Sequence, residues 1–192
     1  MRRGKHMYLK EVLPPGSVEG AKWTALLHPR LSHGGPSMRG KRKTSRPYFS
    51  NTPQVFLLSS KRASGIWDLA HRRHRSRITS QIYTYAKRFR VRVYSASIQK
   101  GQIQLLVKSA DRKDLADFFR VLAGRVAISV TGARKKVRRI GKFWDELCFS
   151  RMLNWGREFH HFRQMILSSR SAIPPSHASP SDETNSSYLR GS

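Results

Sequence analysis

Residues 90–108 hold a pattern that few folds can absorb. Val91 and Val93 alternate with Arg92 and Tyr94, the stretch runs on to Gln99, and after Lys100-Gly101 a second stretch runs from Gln102 to Lys108. A strand points successive side chains to opposite faces, so this period of two predicts two strands. Glycine tolerates the positive φ of a tight reversal, so Lys100-Gly101 predicts the turn between them. On the second arm Ile103, Leu105 and Val107 share one face, while Gln102, Gln104, Leu106 and Lys108 share the other. The chain must therefore be built around an antiparallel hairpin.

The flanking segments supply what such a hairpin needs to bury itself. Val55-Phe56-Leu57-Leu58 reads as a short buried strand. Residues 66–89 read as a helix, because Ile66, Leu69, Ala70, Ile78, Ile82, Tyr85 and Phe89 recur at roughly helical spacing. After the hairpin, Asp111 is placed to cap a helix that carries Asp114 in its first turn. Leu115, Phe118, Phe119, Leu122 and Val126 give that helix its apolar stripe. Residues 146–153 read as a fourth strand. Residues 155–169 read as a last helix with Trp155, Phe159, Phe162 and Ile166 on one side. The order β-α-β-β-α-β is the ferredoxin-like split βαβ, an α+β fold. It predicts a four-stranded antiparallel sheet with two helices on one face. The other face is left for a ligand or for the C-terminal helix.

Around this unit, residues 51–170, composition changes. Residues 1–50 show no sustained period and read as a basic extended arm, with a Trp23-Thr24-Ala25-Leu26-Leu27 patch able to dock elsewhere. Residues 171–192 are rich in serine and proline and read as a disordered tail. Lysine and arginine total 38 against 11 acidic residues, a formal charge of +27. So large an imbalance opposes compaction and calls for a polyanionic partner, nucleic acid before any other. Three basic runs are the contact candidates. Arg39, Lys41, Arg42, Lys43 and Arg46 lie in the arm; Arg72, Arg73, Arg75 and Arg77 lie within the first helix; Arg134, Lys135, Lys136, Arg138 and Arg139 fill a loop. Tyr48, Phe49, Tyr94 and Trp144 are candidates for stacking on unpaired bases.

Little else promises chemistry. A single cysteine, Cys148, excludes an intramolecular disulfide and a cysteine-cluster zinc site, and reads as a packing residue. His71 and His74 stand within the basic helix, where a phosphate-contacting face is favoured over a zinc half-site. His160 and His161 share a helix face with Gln164 and read as a solvated pair. Tyr83 and Tyr85 read as structural. No phosphate-cradling glycine loop, Ser-His-Asp set or paired carboxylates appear at useful spacing. No apolar run approaches the ~20 residues of a membrane span. No apolar signal core follows the basic amino terminus, and the expected location is the bacterial cytoplasm or nucleoid.

The element order, the hairpin Ser97-Ile98-Gln99-Lys100-Gly101-Gln102-Ile103-Gln104-Leu105-Leu106-Val107 and the trailing helix resemble the HUH single-tyrosine transposases. Residues 33–170 are most similar to the REP-associated tyrosine transposases. His33-Gly34-Gly35 with the basic residues up to Pro47 is similar to their arm, and Thr52-Pro53-Gln54-Val55 stands where they begin a strand. Residues 143–151, from Phe143-Trp144 to Ser150-Arg151, resemble their segment before the last helix. The resemblance implies a strand with a His-hydrophobe-His triplet gripping a metal ion that polarises a phosphate. It implies a nucleophilic tyrosine on the last helix and a polar residue four positions later. In this chain the two histidine positions map to Gln102 and Gln104, the tyrosine to Gln164 and the polar residue to Ser168.

On that reading each chemical position is degenerate. A neutral amide is a poor metal ligand without carboxylates beside it, and glutamine cannot form a phosphotyrosine. The expectation is a non-enzymatic, cofactor-free and monomeric protein that recognises DNA hairpins or single-stranded flanks in a regulatory or architectural role. Two alternatives stand beside it: an RNA- or ribonucleoprotein-associated binder, and an active nuclease with an atypical metal site.

Overall fold

The computed structural model describes residues 31–35, 38, 44–133, 141–169 and 172–173. In chain order the elements are β1 (Ser32–His33), β2 (Gln54–Ser59), α1 (Arg72–Arg88), β3 (Arg92–Gln99), β4 (Gln102–Lys108), α2 (Arg112–Thr131), β5 (Phe149–Met152), α3 (Arg157–Leu167) and β6 (Ala172–Ile173). The strands form one sheet in the order β1-β5-β2-β4-β3-β6, every pair antiparallel. The inner four strands are the expected ferredoxin-like sheet. The sheet nevertheless has six strands, because a two-residue strand adds to each edge. Ser32–His33 belongs to the sheet, so the domain begins upstream of the boundary expected at residue 51. The Trp23–Leu27 patch and most of the tail lie outside the described residues.

The hairpin pattern decides where the two cores sit. Ile98, Ile103, Leu105 and Val107 join Phe56 and Leu58 on one face, under Ile78 and Ile82 of α1 and Phe118, Phe119 and Leu122 of α2. Phe56 stacks on Phe119 with ring centroids 3.6 Å apart. On the other face Val55, Leu106 and Leu153 pack against Phe159, Phe162 and Ile166 of α3. The trailing helix therefore takes the sheet face opposite the first two. Each fully buried side chain of this size contributes about 1.5–3 kcal/mol.

Caps and turns explain where the helices begin and end. Asp111 caps α2, its Oδ1 accepting from the Lys113 and Asp114 amides at 2.6 and 3.0 Å. Asp114 then pairs with Arg90, and Asp117 with Lys113 and Arg120. The Lys113 ammonium bonded to Asp117 holds that carboxyl below its usual range. At the far end Gly132 closes α2 in the left-handed region at φ 68°. The first helix starts later than residue 66. Gly65–Trp67 is a 3-10 turn, Asp68 Oδ1 accepts from the Ala70 amide, and His71 Nδ1 accepts from the Arg73 amide as the cap. The fourth strand and last helix are likewise shorter than expected, at Phe149–Met152 and Arg157–Leu167.

One irregularity re-aims a side chain. The β3–β4 register shifts between Val93 and Ser95, so Tyr94 has no partner position on β4. Val93 packs on the first core, whereas Tyr94 packs on the second, beside Phe159.

Phe162 is fully buried at the centre of the second core. Phe162→Ala should lower the free energy of unfolding by about 3–5 kcal/mol. Urea denaturation followed by circular dichroism measures it.

Candidate nucleic-acid interface

Gln102 and Gln104 lie on the α3 side of the sheet, with Leu106 two residues further on the same face. Gln102 lies opposite Ser59 and Gln99, and Gln104 opposite Leu57 and Ser97. Gln104 is 4% exposed. The donor set does not fit a divalent cation, because two neutral amides flanked by serine and leucine supply no charge to replace the ion's water shell. Among the described residues no three His, Cys, Asp or Glu side chains gather where they could hold a metal.

The last helix does not bring its expected residues to this strand. Gln164 and Ser168 are exposed. A turn of 3.6 residues puts Gln164 on the opposite side of α3 from the buried Phe162 and Ile166. The positions that turn toward the sheet are one residue later. Met165 packs on the second core, and Ser169 Oγ lies 2.7 Å from Ser97 Oγ, on the strand position paired with Gln104. The residue facing the glutamine strand is thus Met165, with Ser169 four residues on. A thioether carries no hydroxyl to attack phosphorus. Helical phase accounts for this placement, since Phe159, Phe162 and Ile166 fix which side is buried.

The arginines divide into structural and exposed sets. Arg46 is not a surface contact. Its Nη2 donates to the Cys148 carbonyl at 2.9 Å, its guanidinium lies over Phe56, and burial lowers its pKa. Arg75 is half-buried and donates to the Ala172 carbonyl at 2.9 Å. Ala172 pairs with Ser97, so the first turn of α1 stands at the sheet edge one strand beyond the hairpin. Arg72, Arg73 and Arg77 are exposed around it, and no acidic residue lies in that turn. Cations at a helix N-terminus oppose the helix dipole, so this turn favours an anion nearby. Arg39, Lys41, Arg42 and Lys43, and Arg134, Lys135, Lys136, Arg138 and Arg139, lie outside the described residues.

Both histidines of α1 serve the fold. His71 is the cap, and His74 is buried with Nε2 2.8 Å from the Ile66 carbonyl. His71 stays exposed, whereas the buried ring of His74 is turned into the fold. His160 and His161 are exposed. His33 bonds the Thr44 carbonyl, and burial lowers its pKa. Tyr83 and Tyr85 pack on the first core. Among the stacking candidates, Tyr48 donates to Ser109 O and Trp144 Nε1 to Ala123 O, and both pack on that core. Phe49 is 62% exposed. Trp155, expected on the buried side of the last helix, precedes it and is 52% exposed.

Cys148 packs on the first core, and burial pushes its thiol up to about 11. Below that pH the sulfur stays protonated and unreactive. Labelling with a thiol-specific disulfide reagent at pH 8 should be slow in the native protein and fast in denaturant.

Two strands from β4, in the row of Val55 and Leu106, Arg151 forms a short ion pair with Glu158 at 2.6 Å, with side-chain exposures of 10% and 22%. Glu158 also accepts from the Asn154 amide, tying β5 to the start of α3. Glu158→Ala leaves Arg151 desolvated without its carboxylate and should destabilise the fold by about 3 kcal/mol. A thermal melt against Arg151→Met/Glu158→Leu separates the orphaned charge from the missing pair.

No family model matches the sequence, and no curated protein matches it. The backbone does have a relative among solved structures. A REP-associated tyrosine transposase bound to a REP hairpin superposes with a TM-score of 0.51 over 65% of this chain and 70% of that one, at 8% identity. The chain has a transposase-like fold. At that identity the likeness is one of architecture. No helix among the described residues is long and apolar enough to cross a membrane.

Proposed function

We propose that this protein binds nucleic acid without cutting it, on a transposase-like scaffold whose reaction centre has been replaced. The observation that carries the reading is the strand-and-helix pair itself. Gln102 and Gln104 stand in the sheet, Met165 and Ser169 face it from α3, and none is a tyrosine or a charged metal ligand. A formal charge of +27 remains beside that inert centre, with Arg72, Arg73 and Arg77 exposed at its edge. The structural neighbour is bound to a REP hairpin, which makes a DNA hairpin with single-stranded flanks the first substrate to try. The role proposed with it is regulatory or architectural, carried out by a monomer, with a dimer as the alternative.

Incubation with labelled hairpin DNA and manganese should give a retarded complex and neither cleavage nor a covalent adduct. A phosphoprotein-linked product would overturn the reading. Affinity should fall steeply with salt. Arg72→Ala/Arg73→Ala should reduce the log–log salt slope by about one for each phosphate that the variant no longer neutralises. Competition with structured RNA at physiological salt tests the choice of nucleic acid; a preference for RNA would replace DNA as the partner.

A further inference from the structure

We propose that Trp155, held by Tyr94, Phe159 and Lys108, is a stacking platform for one unpaired nucleobase of a bound strand. This rests on the nucleic-acid reading and gives it a second contact, at the opposite end of β3 from the Arg75 turn.

The platform is assembled from four separate segments. Gly156, at φ 92°, interrupts the backbone before α3, so Trp155 stands outside the helix rather than on its apolar stripe. Its Nε1–H donates to the Asn51 carbonyl at 3.3 Å. Phe159 lies against it with ring centroids 4.8 Å apart, and Tyr94, turned to this face by the strand irregularity, meets it edge-on at 5.8 Å. Lys108 Nζ lies 5.6 Å from the indole centroid, and the Arg92 guanidinium lies 5.7 Å from the Tyr94 centroid. Phe49, two residues upstream of the carbonyl that holds the indole, is also well exposed.

A tryptophan that only completed the core would be covered, as the adjoining Phe159 is at 6% exposure. Trp155 instead keeps half its surface in water while its ring is fixed at several points. Such an arrangement removes side-chain freedom in advance and leaves apolar area to be covered by a flat ring. The cations distinguish the partner. The centre of a protein-binding patch is depleted in charge, and lysine in particular. Here aromatic rings alternate with Lys108 and Arg92, the combination that takes a base by its face and the adjoining phosphate by its charge. Lys108 is long enough to leave the indole for a phosphate when a base arrives.

The test compares a short oligodeoxythymidine with an abasic strand of the same length and charge, by fluorescence anisotropy at low salt. The expected result is tighter binding of the base-bearing strand, by roughly five- to a hundredfold. Trp155→Ala should erase that difference while leaving abasic affinity unchanged, and Trp155→Phe should keep part of it. Lys108→Ala should weaken both strands alike. An oligouridine arm reports the sugar, and a base preference on either sugar supports the platform. Equal binding of base-bearing and abasic strands by the unaltered protein would overturn the platform and leave the nucleic-acid reading standing. Failure to bind either strand at low salt would overturn both.

Discussion

Strand β4 is bonded along both edges and covered on both faces, and the rest of the domain is arranged around that confinement. Its edges are taken by β2 and β3. Ile103, Leu105 and Val107 are buried under two helices, and Leu106 is buried under the third. A slip of one residue would exchange the apolar triplet for glutamine, leucine and lysine against the larger core. The register is therefore fixed by burial, and with it the position of Gln102 and Gln104.

Much of this architecture was legible in the sequence because its signals are periodic and local. The hairpin, the Asp111 cap and the stripe of α2 are all short-range effects, and the structure places them where the residues imply. The misread features depend on contacts that sequence spacing does not carry. Ile66 fits a helical period, yet Asp68 and His71 make local hydrogen bonds that start the helix at Arg72. Ser32–His33 has too little side-chain pattern to announce a strand, and only the edge of β5 gives it a partner. Arg46 looks like one more member of a basic run until the Cys148 carbonyl and the Phe56 ring are seen to hold it.

The candidate site shows the same division. The two glutamines stand out because a strand's period is unambiguous. On the helix, Gln164 and Met165 differ by only 100° of turn, and only packing reveals that Met165 rather than Gln164 turns to the core. Trp155 was misplaced for a related reason: its spacing to Phe159 and Phe162 is helical, but Gly156 breaks the backbone between them.

The acid side chains have an effect that reaches beyond capping. Asp111, Asp114 and Asp117 are three of the 11 acidic residues in the chain, and all stand in or just before the opening turns of α2. Asp114 and Asp117 are taken up by Arg90, Lys113 and Arg120, so they neutralise nearby cations rather than make an acidic patch. Three carboxylates thus let a helix start crowded with Arg90, Arg112, Lys113 and Arg120 form without those cations repelling one another unchecked.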